Sequence, residues 1–101
     1  MEIVQHLSKE KLEKAAFILK TVAHPTRLAV IDLLSYREKM SVNELCSVLD
    51  CEQSLLSHHL INMKLKGILN SQKDGQNVYY SLKEKDVVKL ISCIENCDCN
   101  M

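Results

Sequence analysis

The sequence predicts one mostly α-helical domain with a small β-hairpin, in the order helix, helix, helix, turn, helix, hairpin, helix. Three observations carry this. The strong chain breakers are confined to Pro25, Gly67 and Gly75, so long tracts are free to be helical. A Ser-x-x-Glu signal at Ser41-Val42-Asn43-Glu44 opens a short helix that another follows almost at once. Two short runs are separated by Asp74-Gly75-Gln76, where Gly75 can supply a positive φ.

In residues 9–22, Leu12, Ala15, Ala16, Leu19 and Val22 recur at helical spacing and form one apolar face, with Ser8 as the expected cap. A second helix should start at Pro25, whose fixed φ suits a first helical turn, and run through Leu34 with enough apolar residues to be buried. The third, residues 42–49, should seat Val42, Leu45, Cys46 and Leu49 on the core. After the turn Asp50-Cys51-Glu52, a fourth helix is expected from Gln53 to Lys66, stopped by Gly67. The hairpin strands are placed at 68–73 and 77–82 around Asp74-Gly75-Gln76. A last helix, from Lys83 to about Asn96, would bury Val87, Leu90, Ile91 and Ile94.

At 101 residues the chain is expected to be a single domain over 1–101, and 47% apolar with 26% charged residues is an ordinary globular balance. No run approaches the ~20 apolar residues of a membrane span, and the N-terminus lacks a basic region followed by an apolar one, so a cytoplasmic protein with no membrane partner is expected. No phosphate loop, Ser-His-Asp order or catalytic carboxylate pair appears, which argues against an enzyme. Formal net charge is zero, so contact with nucleic acid would have to rely on local charge. Residues 53–82 supply a little, with Lys64, Lys66 and Lys73 set against Asp74.

Helix, tight turn and helix is the arrangement in which the second helix enters the major groove of DNA and presents polar side chains from its first turns. Gln53, Ser54, Ser57 and His58 meet that need, while Leu56, Leu60 and Met63 form the opposite stripe. Glutamine can pair with adenine through two hydrogen bonds, and serine or histidine can reach a phosphate or a base. Lys64 adds positive charge to the same helix. The hairpin behind it would be a wing, with Lys73 and Gln76 at its tip able to touch phosphates or the minor groove. Ile61 and Leu65 fall on the nominally outer face of the helix.

The chain resembles the ArsR/SmtB family of metal- and redox-sensing repressors over nearly its whole length. The residues that carry the resemblance are His24-Pro25-Thr26-Arg27-Leu28, Glu44-Leu45, Gln53-Ser54-Leu55-Leu56-Ser57-His58-His59-Leu60 and Gly75-Gln76-Asn77-Val78-Tyr79-Tyr80-Ser81-Leu82. The resemblance implies a winged helix-turn-helix homodimer joined by its first and last helices, which binds double-stranded operator DNA and leaves it when an inducer binds. Glu52 departs from the family's usual Ser or Thr cap of the recognition helix.

Five cysteines, an odd number, are expected to be reduced thiols and not a disulfide framework, and Cys93, Cys97 and Cys99 cluster within the last nine residues, as a sensor site or as incidental thiols of an exposed tail. Cys93 and Cys97 are i, i+4 neighbours on the last helix, and Cys99 can close a three-thiolate site if the helix turns there. Three thiolates suit As(III); thiolates with a carboxylate or imidazole suit Zn(II) or Cd(II). Asp86 shares that stripe and could reach Cys97 across a dimer of antiparallel last helices. By alignment with the family's zinc sensors, Glu84, Asp86, Cys97 and Asn100 occupy the ligand positions, but the ligand types differ. Cys46 aligns with the last cysteine of the family's arsenite motif, whose other positions hold Ser41 and Asn43; the apolar stripe claims Cys46 for the core, and Cys51 likewise. His24 is expected to be structural and His6 exposed. Besides a soft-metal repressor, the sequence leaves open a thiol redox regulator, a regulator with no inducer, and a winged-helix protein-interaction module without DNA binding.

Overall fold

The computed structural model of the chain describes residues 8–95. Helix α1 (Lys9–Val22) begins where Ser8 Oγ accepts the Lys11 amide at 3.2 Å. Helix α2 (Pro25–Tyr36) carries Pro25 in its first turn, and the cap is His24, whose Nδ1 accepts the Thr26 amide at 3.1 Å. Helix α3 (Val42–Leu49) opens on a complete capping box: the Glu44 amide donates to Ser41 Oγ at 3.1 Å, and the Ser41 amide donates to Glu44 Oε1 at 2.9 Å. Those bonds hold the Glu44 carboxyl below its usual range, the Ser41 backbone bond first among the causes.

Helix α4 (Gln53–Leu65) follows after a three-residue corner. Its end is turned by Gly67 at φ 82, a left-handed conformation that glycine takes without a Cβ clash. Strands β2 (Leu69–Asp74) and β3 (Asn77–Leu82) pair antiparallel from Leu69↔Leu82 to Asp74↔Asn77. The two-residue loop between them has Gly75 at φ 65, the positive φ that primed hairpin turns require. Helix α5 (Val87–Glu95) closes the described chain and packs on α2.

The structure differs from the sequence reading in an added strand and in several boundaries, α2 running on to Tyr36 and α4 ending at Leu65 among them. A two-residue strand, β1 (Met40–Ser41), pairs antiparallel with β3 through Met40↔Tyr80 and Ser41↔Tyr79, so the sheet has three strands in the order β1-β3-β2. Two residues are too few to leave a period, and Ser41 is also the cap of α3. The first hairpin strand is displaced by one residue, because Ile68 accepts the Lys83 and Glu84 amides outside the ladder. The last helix starts at Val87, since residues 84–89 enter it through i→i+3 bonds from Val87, Val88 and Lys89 back to Glu84, Lys85 and Asp86.

The core lies between α2, α3, α4 and the sheet. Val30, Ile31 and Leu34 of α2, Leu45 of α3, and Leu56, Leu60 and Met63 of α4 are buried there with Met40, Ile68, Leu69, Tyr80, Leu82 and Val87. The expected α3 stripe is in place, with Val42, Cys46 and Leu49 packed half-buried around Leu45. The α1 face departs from expectation: Val22 is buried, whereas Leu12, Ala15, Ala16 and Leu19 are exposed, and Leu12 and Leu19 retain 41% and 50% of their surface. The tertiary fold leaves that apolar face outside the core.

Candidate nucleic-acid interface

Helix α4 is seated by one side and open on the other. Leu56, Leu60 and Met63 have no exposed surface, so the helix cannot roll without uncovering the core. On the opposite side Gln53, Ser54 and His58 are exposed, Ser57 is half-buried, and Lys64 is exposed further along. These are the groove-reading candidates named from sequence, and the fold brings them onto one accessible face. Lys73 and Gln76 are exposed at the far end of the hairpin, Lys73 paired with Val78 and Gln76 in the turn.

Two details of this face bear on its chemistry: the Glu52 bond, which the sequence did not show, and the outward Ile61 and Leu65, which it did. Glu52 stands at the cap of α4 but makes no capping bond; its Oε1 accepts the Ser54 hydroxyl at 2.8 Å. A carboxylate thus sits at the N-terminal end of α4, and it engages the hydroxyl of Ser54, one of the candidates named from sequence. The face also carries leucine and isoleucine: Leu55, Ile61 and Leu65 are exposed, Leu65 by 79%, and nothing among the described residues covers them.

The orientation of α4 is set by a polar network that sequence reasoning missed. The Arg27 guanidinium donates from Nε to His59 Nδ1 at 3.0 Å and from Nη1 to Asn62 Oδ1 and the Thr21 carbonyl, both at 2.8 Å. One side chain therefore joins the end of α1, the start of α2 and two turns of α4. His59 is buried, and its ring centroid lies 4.4 Å from that of His24. Burial, with the charges of His24, Arg27 and His58 around it, holds the His59 imidazole below the ordinary histidine range. A neutral ring is what the geometry needs, because Nδ1 must accept from Arg27. The signal was present in the pairing of His24 and Arg27 with His59, but only the packing of α2 on α4 reveals it.

The sensor candidates divide. Cys93 is exposed on α5, whereas Cys97 and Cys99 lie outside the described residues, as does His6. Asp86, placed on the helix from sequence, sits instead in the turn before it; it is exposed and lies 3.8 Å from Lys89 Nζ. Glu84 is paired with Lys14 of α1 at 3.2 Å. Among the described residues no group of three or more His, Cys, Asp or Glu side chains is arranged to hold a metal, and no helix is long and apolar enough to cross a membrane.

A buried-backed reading helix following a short helix and corner, with a three-stranded sheet whose hairpin projects beside it, defines a winged helix-turn-helix DNA-binding protein. Known proteins agree: a helix-turn-helix domain family matches residues 22–72. The HTH-type transcriptional regulator YgaV of Escherichia coli is 36% identical over 87 residues, covering 86% of this chain and 88% of that protein. The solved structure of HlyU from Vibrio cholerae superposes with a TM-score of 0.81 at 32% identity, covering 92% of this chain and all of that one. The cadmium resistance regulatory protein CadC of Listeria innocua is 29% identical over 72 residues, 71% of this chain and 60% of that protein. The chain belongs to the ArsR/SmtB family of winged-helix transcriptional regulators, and it is a DNA-binding regulator rather than an enzyme.

Proposed function

We propose that this regulator is a cytoplasmic homodimeric repressor, each chain acting as one domain, that reads an imperfect palindrome in double-stranded DNA and releases it when a soft metal or metalloid binds its C-terminal thiols. The observation that carries the DNA-reading part is the exposed polar face of α4, with Gln53, Ser54 and His58 held outward by a fully buried opposite side. Gln53 is assigned to a base edge; Ser54, Ser57, His58, Lys64, Lys73 and Gln76 are assigned to bases or phosphates. Dimerisation through α1 and α5 is supported by the exposed Leu12 and Leu19, and by an apolar cleft of about 170 Å³ lined by Ala15, Ile18, Leu19, Asp86 and Val87. Two chains would set their recognition helices in successive major grooves.

The exposed thiol of Cys93 supports the sensing role, with Cys97 and Cys99 as its proposed partners and Asp86 as an auxiliary carboxylate. As(III), Cd(II) and Zn(II) are the candidate inducers; the name of the cadmium-resistance relative favours this class. Fluorescence anisotropy against the protein's own promoter tests both parts. Gln53→Ala with His58→Ala should abolish sequence preference while the fold survives by circular dichroism; unchanged operator affinity would point to a protein-interaction module instead. Replacing Cys93, Cys97 and Cys99 with Ser should remove release by arsenite, cadmium or zinc. A triple variant that still responds like the parent overturns the C-terminal sensor.

A further inference from the structure

The corner between α3 and α4 contains two cysteines that the C-terminal site does not use. Asp50 adopts φ 50 and ψ 52, the left-handed conformation that ends a helix, and its amide donates to the Cys46 carbonyl. The Cys51 amide donates to that same carbonyl at 3.3 Å. With Asp50 left-handed, this 6→1 bond closes the corner as in a Schellman turn, except that the Asp50 amide bonds the Cys46 carbonyl and not that of Ser47; a contact between the first and last side chains commonly accompanies such a closure. Here the first and last residues are Cys46 and Cys51. Both are half-buried, both pack against the core, and both are free thiols. Burial pushes the Cys46 thiol up, and the neighbouring Cys51 adds to the effect. The pair is not sealed: Cys51 lines an open cleft of about 320 Å³ with Pro25, Thr26, Ala29, Leu49 and Asp50.

We propose that Cys46 and Cys51 form a redox dithiol that a peroxide closes to an intramolecular disulfide, reshaping the helix-turn-helix corner and weakening operator binding. The thiolate of Cys51, reached through the cleft, attacks the peroxide; an S–O bond forms, the O–O bond breaks, and hydroxide leaves to be protonated to water. The Cys46 sulfur then attacks the Cys51 sulfenic acid, forming the S–S bond and expelling the second oxygen as water, the Cys46 proton going with it. Two thiols are oxidised and one hydrogen peroxide is reduced to two waters. A disulfide admits only a narrow range of Cβ separations and torsions. Drawing Cys51 onto Cys46 therefore re-sets the chain immediately before Gln53 and Ser54, at the end of α4 that meets the groove.

The functional readout rests on the DNA-binding reading, whereas the chemical one does not, so both are measured. Full-length protein is treated with hydrogen peroxide, alkylated and mapped by peptide mass spectrometry, in the parent and in a background with Cys93, Cys97 and Cys99 changed to Ser. The expected result is a peptide pair linked through Cys46 and Cys51, reversed by dithiothreitol, with operator affinity roughly tenfold weaker in the oxidised form. Cys51→Ser should keep the reduced affinity and lose the peroxide response; Cys46→Ala, which leaves a small core residue, should do the same. Two alkylatable thiols after peroxide, over-oxidised cysteines without a cross-link, or a mapped bond with unchanged affinity would each overturn the proposal. If the reduced protein fails to bind its promoter at all, the DNA reading falls, and the mapped bond still decides the pairing.

Discussion

His59 shows how one buried residue couples pH to the fold. Its imidazole is held neutral by burial and by the surrounding positive charge, so its folded pKa lies below the unfolded one. As pH falls below about 6.5 the unfolded chain gains a proton that the folded chain resists, and stability declines until the folded pKa is passed. Urea unfolding from pH 7.5 down to 5 should show this loss, and His59→Asn, which keeps an acceptor for Arg27 Nε, should flatten it. An equally steep profile in the variant would assign the dependence to other groups. Glu52 is the converse case, a residue whose local role is unfilled. Glu52→Ser should supply the missing cap, stabilise the protein by about 1 kcal/mol, and release the Ser54 hydroxyl. Removing a carboxylate beside the groove should also tighten operator binding; weaker binding would show that Glu52 itself contacts DNA.

At the level of elements, the corner and the wing carry distinct costs. Asp50 is the one non-glycine residue at positive φ among those described, a conformation costing an L-residue about 1–2 kcal/mol. Asp50→Gly should raise the unfolding free energy by about 1 kcal/mol, visible as a shifted urea midpoint with unchanged slope. In the wing, Lys73 is exposed next to Asp74, so the tip has nearly no net charge. Lys73→Ala should weaken binding to all sequences alike and lower the salt slope of log K by about 1. No change in slope would remove Lys73 from the phosphate contacts.

Across the whole molecule, zero net charge leaves little long-range attraction for DNA, so affinity should depend on two reading helices acting together. That makes the exposed α1 face decisive. Leu12→Glu with Leu19→Glu would place carboxylates on the proposed seam, where burying them unpaired is costly. Sedimentation equilibrium should then give monomers, and affinity for a full palindrome should fall towards that for a half-site. A dimer that persists would place the interface elsewhere.

Helix order, both short helices of the DNA-reading unit, the capping box and the hairpin were legible in the sequence because each is encoded locally. Periodicity, a cap or a positive-φ glycine acts within one or two turns of chain. The exposed polar face of α4 was legible for the same reason, as the complement of Leu56, Leu60 and Met63. What only the tertiary structure decided came from residues distant in sequence. Strand β1 exists because β3 lies beside Met40 and Ser41. The burial of His59 and its grip on Arg27 depend on α2 meeting α4. The outward apolar face of α1 follows from where the core closes. Local chemistry chose the elements and their order; which faces were covered depended on long-range packing, which no short stretch of sequence encodes.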